Sequence, residues 1–317
     1  MDSFAGKLAV VTGGGSGIGR ALVCQLAAEG CSVAACDCDS GTIAETVPLA
    51  DDGAASGVRV TGHDCDVADE AQVLRFRDDL LAAHDTDHVD LVFSNAGIGG
   101  AGSFVKEPRE DWERVFAVDF WGVYYCARAF LPLLIKSKEG VLVNTSSANG
   151  FFATLGPGMP HTAYSTAKFA VKGLSEALIE DLRTNAPHVR VAVVMPGHVG
   201  TNIVGNSLRA FGLDVERMTD AELEDARTHM IERGMPVGDV PAAHLRSILT
   251  KVCADFRDKA PVTAAEAATV ILDGIRAGAW RILIGKDAAR LDRFVRANPE
   301  ATYDYAELGK SFQAGEA

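Results

Sequence analysis

Short apolar, β-branched runs punctuate the first two-thirds of the chain: Leu8 to Val11, Ser32 to Cys36, Val58 to Thr61, Leu91 to Phe93, Val141 to Asn144 and Val189 to Met195. Each is too short for a helix and reads as a buried strand. Between them the apolar residues recur at helical spacing. Leu22, Leu26 and Ala27 make one such face, and Val73, Phe76 and Leu80 make another. Strands alternating with helices predict a parallel sheet covered on both sides. With right-handed crossovers this is a doubly wound α/β sheet of the Rossmann type.

After Gly205 the pattern changes. Thr219-Asp220-Ala221-Glu222 is a capping box and starts a helix, with Gly234 as its stop. Pro241 opens a second helix, which ends before Ala260-Pro261. Thr263 to Glu266 is another capping box, with a helix running to about Gly278, and Arg281 to Ile284 reads as a last strand. Residues 205–260 are therefore expected to form a helical cap inserted between the last two strands of a single domain. The tail after Pro299, which carries Tyr303 and Tyr305, is compatible with an ordered arm or a frayed end.

Composition narrows the function classes. The 317 residues are 48% hydrophobic and 23% charged, an ordinary globular balance, with a formal net charge of −13. An acidic chain without a basic stripe argues against a nucleic-acid partner. The N-terminal residues lack a basic region followed by a long apolar stretch, and no apolar run of membrane-spanning length is expected. Seven irregularly spaced cysteines, several inside apolar runs, read as reduced thiols of a cytoplasmic protein. His63-Asp64-Cys65-Asp66 has ligand-type side chains, but neighbours on a strand end point apart, and no metal is expected.

Thr12-Gly13-Gly14-Gly15-Ser16-Gly17-Ile18-Gly19 follows the first strand and opens a helix. Glycines let backbone approach a pyrophosphate, and the helix N-terminus offers N–H donors. The G-x-G-x-x-G register does not fit. The P-loop is excluded too, because Arg20 and Ala21 follow Gly19. Asp37 ends the second strand, where a carboxylate accepts hydrogen bonds from the adenosine ribose. The same charge repels a 2′-phosphate by roughly 4 kcal/mol at ~4 Å and an effective dielectric of ~20. Ser16 and Cys38 are neutral and no basic residue is expected to counter it, so NAD is favoured over NADP.

Tyr164 and Lys168, four residues apart, share a helix face. A neighbouring ammonium favours the phenolate and turns a Tyr into a proton acceptor for an alcohol. Ser146 and Ser147 follow the strand Val141 to Asn144, at the sheet end where doubly wound folds bind ligands, and either hydroxyl could meet a substrate oxygen.

These pieces, in this order, resemble the short-chain dehydrogenase/reductase family: Thr12 to Gly19, Asp37, Asp66-Val67, Asn95-Ala96-Gly97, Ser147, Tyr164 with Lys168, and Pro196-Gly197 followed by Thr201. The resemblance runs along nearly the whole chain. It implies that Gly13, Ser16, Gly17, Ile18 and Gly19 cradle the dinucleotide, that Asp66 and Val67 contact adenine, and that Asn95, Ala96 and Gly97 line the cofactor cleft. It implies Tyr164 as general acid/base, Lys168 on the nicotinamide ribose, and Ser147, the second serine of the pair, on the substrate oxygen. Pro196, Gly197, Val199 and Thr201 would hold the carboxamide end. One position departs from the family: Asp119, in Val118-Asp119-Phe120-Trp121-Gly122, stands where the family often has Asn. The family role runs partly through the main chain, which an Asp can keep, so Asp119 is taken as a fourth catalytic member.

The expected activity is NAD(H)-dependent interconversion of an alcohol and a ketone. The expected substrate is an apolar, medium-sized small molecule, and Phe151, Phe152 and Met159 are candidates for its pocket wall. His161 and His198 are expected to be satisfied polar residues. Phe120, Trp121, Tyr124 and Tyr125 form an aromatic stripe that serves as core or as a subunit interface, and a homodimer or homotetramer is expected from the resemblance. The alternatives are a catalytically quiet NAD-binding regulatory protein and an NADPH-dependent ketone reductase of the same fold.

Overall fold

The computed structural model describes residues 1–100, 102–232, 237, 238 and 240–314. Seven strands form one parallel sheet: β1 (Leu8–Thr12), β2 (Ser32–Asp37), β3 (Val60–Asp64), β4 (Leu91–Ser94), β5 (Gly140–Thr145), β6 (Val189–Pro196) and β7 (Arg281–Ile284). Their spatial order is β7-β6-β5-β4-β1-β2-β3. The order reverses between β1 and β4, where Val10 pairs with Ala34 on one side and Val92 on the other. That reversal opens the crevice at the carboxyl ends of the strands in which such sheets take their ligands.

The helices α1 (Gly17–Ala28), α2 (Ser40–Gly53) and α3 (Glu70–His84) follow β1, β2 and β3. A long helical rod follows β4. It comprises α4 (Arg109–Phe116), a π-helical turn at Ala117–Trp121 and α5 (Gly122–Lys136). Helix α6 (Thr162–Asn185) precedes β6, and α7 (Ile203–Ala210), α8 (Asp220–Glu232), α9 (Ala242–Asp258) and α10 (Ala264–Arg276) lie between β6 and β7. Helices α11 (Lys286–Ala297) and α12 (Tyr305–Ala314) close the chain.

Alternation along the strands divides the core into two layers. Val11, Val33 and Ala35 pack on Leu22 and Leu26 of α1 and on Ile271 and Ile275 of α10. Val10, Ala34 and Val92 face the other way, onto Val73, Phe76 and Leu80 of α3 and Phe130 and Leu134 of α5. Burial of each such large side chain contributes about 1.5–3 kcal/mol.

Several expectations need correction. The third strand starts at Val60 rather than Val58 and runs on through Gly62, His63 and Asp64. Val58 closes a turn onto Ala55 instead. Only one side of this edge strand is paired, so it tolerates the polar residues that hid its end. The cap begins with a helix at Ile203, upstream of Gly205, while Gly234 lies outside the described residues. By length and composition Arg109–Lys136 could cross a membrane, contrary to expectation. About half of its apolar window is buried in this fold, where Val123, Cys126, Phe130 and Leu134 of α5 face the core. The tail is docked: Tyr303 stacks on Phe152 at 5.4 Å, and its hydroxyl accepts a hydrogen bond from the Ala153 N–H.

Candidate active site

The glycine turn is shaped by steric need. Gly13 and Gly17 have φ of +65° and +54°, a conformation that costs other residues most. A Cβ on Gly13 would lie 2.8 Å from Ala96 Cα, and one on Gly19 would lie 2.0 Å from the Gly13 carbonyl oxygen. The turn is braced from β4. Thr12 Oγ1 accepts from the N–H groups of Asn95 (3.0 Å) and Ala96 (3.1 Å), and Asn95 Nδ2 donates to the Thr12 carbonyl at 3.0 Å. Asn95 thus holds the cradle with its side chain. Ile18 is buried in the core and can offer the cleft only its backbone.

Asp37 closes the other side of the turn. Its carboxylate accepts the Gly15 N–H at 2.9 Å and the Asp39 N–H at 3.1 Å. A carboxylate has about four acceptor sites, so capacity remains for a ribose diol. A basic residue also meets the turn. Arg20 Nε donates to the Gly15 carbonyl and to Thr46 Oγ1, both at 2.9 Å, and its Nη2 pairs with Glu45 at 3.0 Å. The guanidinium braces the turn from behind and is already engaged. Asp66 accepts the Ala68 N–H at 3.0 Å, and Val67 is buried against Gly122. The positive-φ glycines, the close backbone approaches and the open first turn of α1 together fit a dinucleotide pyrophosphate.

Ser146, Ser147, Tyr164 and Lys168 come together where β5 ends and α6 begins. Lys168 is 2% exposed, and its Nζ lies 5.3 Å from the Tyr164 ring centre and 3.2 Å from the Thr145 carbonyl oxygen, to which it donates. Burial pushes the Tyr164 phenol up. The Lys168 ammonium opposes this, Asp119 adds to it, and the Ser147 hydroxyl helps to hold the phenolate. The two serines separate by hydrogen bonding. Ser146 Oγ donates to the Lys168 carbonyl at 2.7 Å and ties α6 to the strand end. Ser147 caps the short turn Ala148–Gly150 and faces Tyr164.

Asp119 sits in the π-helical turn, fully buried. Such turns widen a helix locally and often mark functional sites. Its Oδ1 accepts the Ile98 N–H at 2.8 Å, and its Oδ2 lies 3.6 Å from Lys168 Nζ. Desolvation raises its carboxyl to about 6, against the pull of Lys168 and of the Ile98 N–H. Gly97 makes room for this pair, since a Cβ there would touch Asp119 Oδ1 at 3.2 Å and Lys168 Nζ at 3.3 Å.

The segment Pro196 to Thr201 is held by a residue that sequence reasoning missed. Asp287, in the first turn of α11, accepts the His198 N–H at 2.7 Å and fills the space a side chain at Gly197 would need. Val199 is buried and pairs with Val262, whereas Thr201 reaches the glycine turn, its Cβ 3.1 Å from where a Cβ on Gly17 would stand. His198 Nε2 is satisfied by the Phe256 carbonyl at 2.7 Å. His161 instead has its ring 4.7 Å from that of Tyr164, and desolvation lowers its pKa to about 4. Apolar side chains also pack beside Tyr164. Ile98, Trp112, Ala210 and Phe211 cluster there. Phe151 and Phe152 pack under α11 and α12, and Met159 is exposed on a hairpin.

Known proteins share this fold. The family profile described as short chain dehydrogenase matches residues 7–210. A Mycobacterium tuberculosis protein named as an oxidoreductase, SadH, is 36% identical over 296 residues, which cover 93% of this chain and 92% of that one. The crystal structure of a short-chain dehydrogenase/reductase from Burkholderia phymatum, in complex with NAD, superposes with a TM-score of 0.74 at 28% identity, covering 95% of this chain and 96% of that one. A metagenomic short-chain oxidoreductase in complex with NADP gives 0.54 at 30% identity, over 61% of this chain and 83% of that one. With its sheet order, its glycine turn and its Ser147, Tyr164 and Lys168 in place, this chain belongs to the short-chain dehydrogenase/reductase family of oxidoreductases.

Proposed function

We propose that this chain interconverts a secondary alcohol and its ketone, using NAD(H), with Tyr164 as general acid/base. The observation that carries this reading is the convergence of Tyr164, Lys168 and Ser147 at the crevice that the glycine turn also faces. A bound nicotinamide dinucleotide supplies the hydride acceptor or donor. Ser147 holds the substrate oxygen, Tyr164 takes the hydroxyl proton at its phenol oxygen, and Lys168 stabilises the resulting phenolate. In the reverse direction Tyr164 returns the proton. Gly13, Ser16, Gly17, Ile18 and Gly19 cradle the pyrophosphate, Asp37 takes the ribose hydroxyls, Asp66 and Val67 border the adenine, and Pro196, Gly197, Val199 and Thr201 hold the carboxamide end. NAD is the assigned cofactor because the Asp37 carboxylate disfavours a 2′-phosphate, and the NAD complex of the Burkholderia phymatum enzyme is consistent with this.

Ile98, Trp112 and Phe211 beside Tyr164 favour an apolar substrate of medium size. The cap at about 205–260 covers it and excludes water. Trp121, exposed beside Tyr124 and Tyr125 on the rod, and the exposed Phe169 on α6 favour association into a homodimer or homotetramer. The protein is assigned to the cytoplasm, with its seven cysteines all free.

The test is reduced-nicotinamide absorbance with NAD and a panel of secondary alcohols, for the wild type and for Tyr164→Phe. General acid/base removal is expected to cost about 10²–10⁴-fold in kcat. Undiminished turnover by Tyr164→Phe overturns the mechanism.

A further inference from the structure

The cap contributes more than a cover. Ser16 is the N-cap of α1, a position where a serine hydroxyl ordinarily accepts from the helix's own first-turn N–H groups. Here its side chain makes no capping bond. The first-turn donors stay open, and Ser16 Oγ instead accepts from Asn206 Nδ2, in the cap helix α7, at 3.1 Å. The amide of Asn206 is not free to flip, because Arg209 Nη2 donates to its Oδ1 at 2.6 Å. The Asn206 NH2 group is therefore fixed toward the glycine turn, with a guanidinium behind it. One residue on, Ser207 Oγ accepts the Gly99 N–H at 2.7 Å from the opposite rim of the crevice. Helix α7 thus spans the cleft from the glycine turn to the end of β4.

An anionic dinucleotide approaching a chain of net charge −13 and a cleft holding Asp37 gains from every donor and positive charge at the cradle. Arg20 is spent on the Gly15 carbonyl and Glu45. Lys168 is buried beside Asp119. Arg209 is exposed and engages its own neighbour, Asn206.

We infer that Asn206, oriented by Arg209, is a cofactor-binding residue that donates its amide N–H to the dinucleotide pyrophosphate beside Ser16, so that α7 clamps the cofactor. This rests on the dehydrogenase reading above. A second N–H of the Asn206 amide is available for the phosphate while the first stays on Ser16. Arg209 acts through Asn206 and adds charge at longer range.

Binding measurements test this without turnover. Dissociation constants for NADH, ADP-ribose and adenosine are measured by calorimetry for the wild type, Asn206→Leu and Arg209→Gln. Loss of a hydrogen bond to a charged group should weaken NADH and ADP-ribose by about tenfold or more in Asn206→Leu, with adenosine unchanged. Arg209→Gln should weaken both severalfold and flatten the salt dependence of binding. Asn206→Ala adds no bulk and repeats the measurement should leucine lower the melting temperature. NADH and ADP-ribose bound within twofold of wild type by a stably folded Asn206 variant overturns the inference and leaves the dehydrogenase reading standing. Failure of the wild type to bind any dinucleotide overturns both.

Discussion

Replacing Asp119 by Asn removes one buried charge, and with it the counter-charge 3.6 Å from Lys168. The side chain is fully buried, with one oxygen on the Ile98 N–H and the other 3.6 Å from Lys168. Burial lifts its carboxyl from 3.8 to about 6. A folded pKa above the unfolded one means that the stabilising proton is bound in full below about pH 4 and lost as pH rises through 6. Above pH 6 the ionised group therefore costs roughly 3 kcal/mol, the equivalent of a shift of about two pH units. Asparagine has the shape of the protonated acid and keeps an acceptor for Ile98. Asp119→Asn should thus be more stable than wild type by up to roughly 3 kcal/mol at pH 8, or about 4 °C in Tm for a chain of this size. The advantage should shrink to about a third of that by pH 4.5. Urea unfolding of both proteins across this range measures it. Parallel pH–stability curves would refute the reasoning and mean that Lys168 repays the desolvation in full. The substitution also removes a negative charge that raises Tyr164, so the rise of kcat with pH should move to lower pH.

Two further outcomes follow from the cofactor cradle. Asp37→Asn keeps an acceptor for the Gly15 N–H but removes the charge. It should raise NADPH affinity relative to NADH more than tenfold, with the unscreened repulsion of roughly 4 kcal/mol as the ceiling. An unchanged ratio, read by fluorescence titration of both reduced cofactors, would mean that Asp37 does not face the 2′ position. Gly19→Ala would press a methyl to 2.0 Å from the Gly13 carbonyl oxygen. It should cost a few kcal/mol of stability or displace the turn, with NADH binding lost in either case. Native-like binding by Gly19→Ala would show that the turn can shift without harm.

Much of the fold is legible in local patterns. The apolar runs at Leu8, Ser32, Leu91, Val141 and Val189 are strands because both of their faces are buried, and residues destined for such places must be apolar whatever their neighbours. Both capping boxes form, since their hydrogen bonds close within four residues. The edge strand β3 starts two residues and ends three residues beyond the expected Val58 to Thr61, because an unpaired edge relaxes that demand. The surroundings of Tyr164 have no such local signature. Phe151 and Phe152 adjoin the serines in sequence, yet they pack under α11, whereas Ile98, Trp112 and Phe211, each from a separate segment, cluster beside Tyr164.

What the sequence determined by itself is whatever a short stretch of backbone enforces: the strand and helix periods, the glycine turn whose positive φ values only glycine accepts readily, and the placing of Tyr164 and Lys168 on one helix face. Tertiary structure alone decided the relations that cross the chain. It separated Ser146 from Ser147 by giving one a backbone carbonyl of α6 and leaving the other beside Tyr164. It set Asp287 under the Pro196 loop from 89 residues away and Asn206 against Ser16 from 190 residues away. It buried Asp119 against Lys168 and so raised its proton affinity. Desolvation and hydrogen bonding depend on which surfaces meet, and no local spacing encodes that.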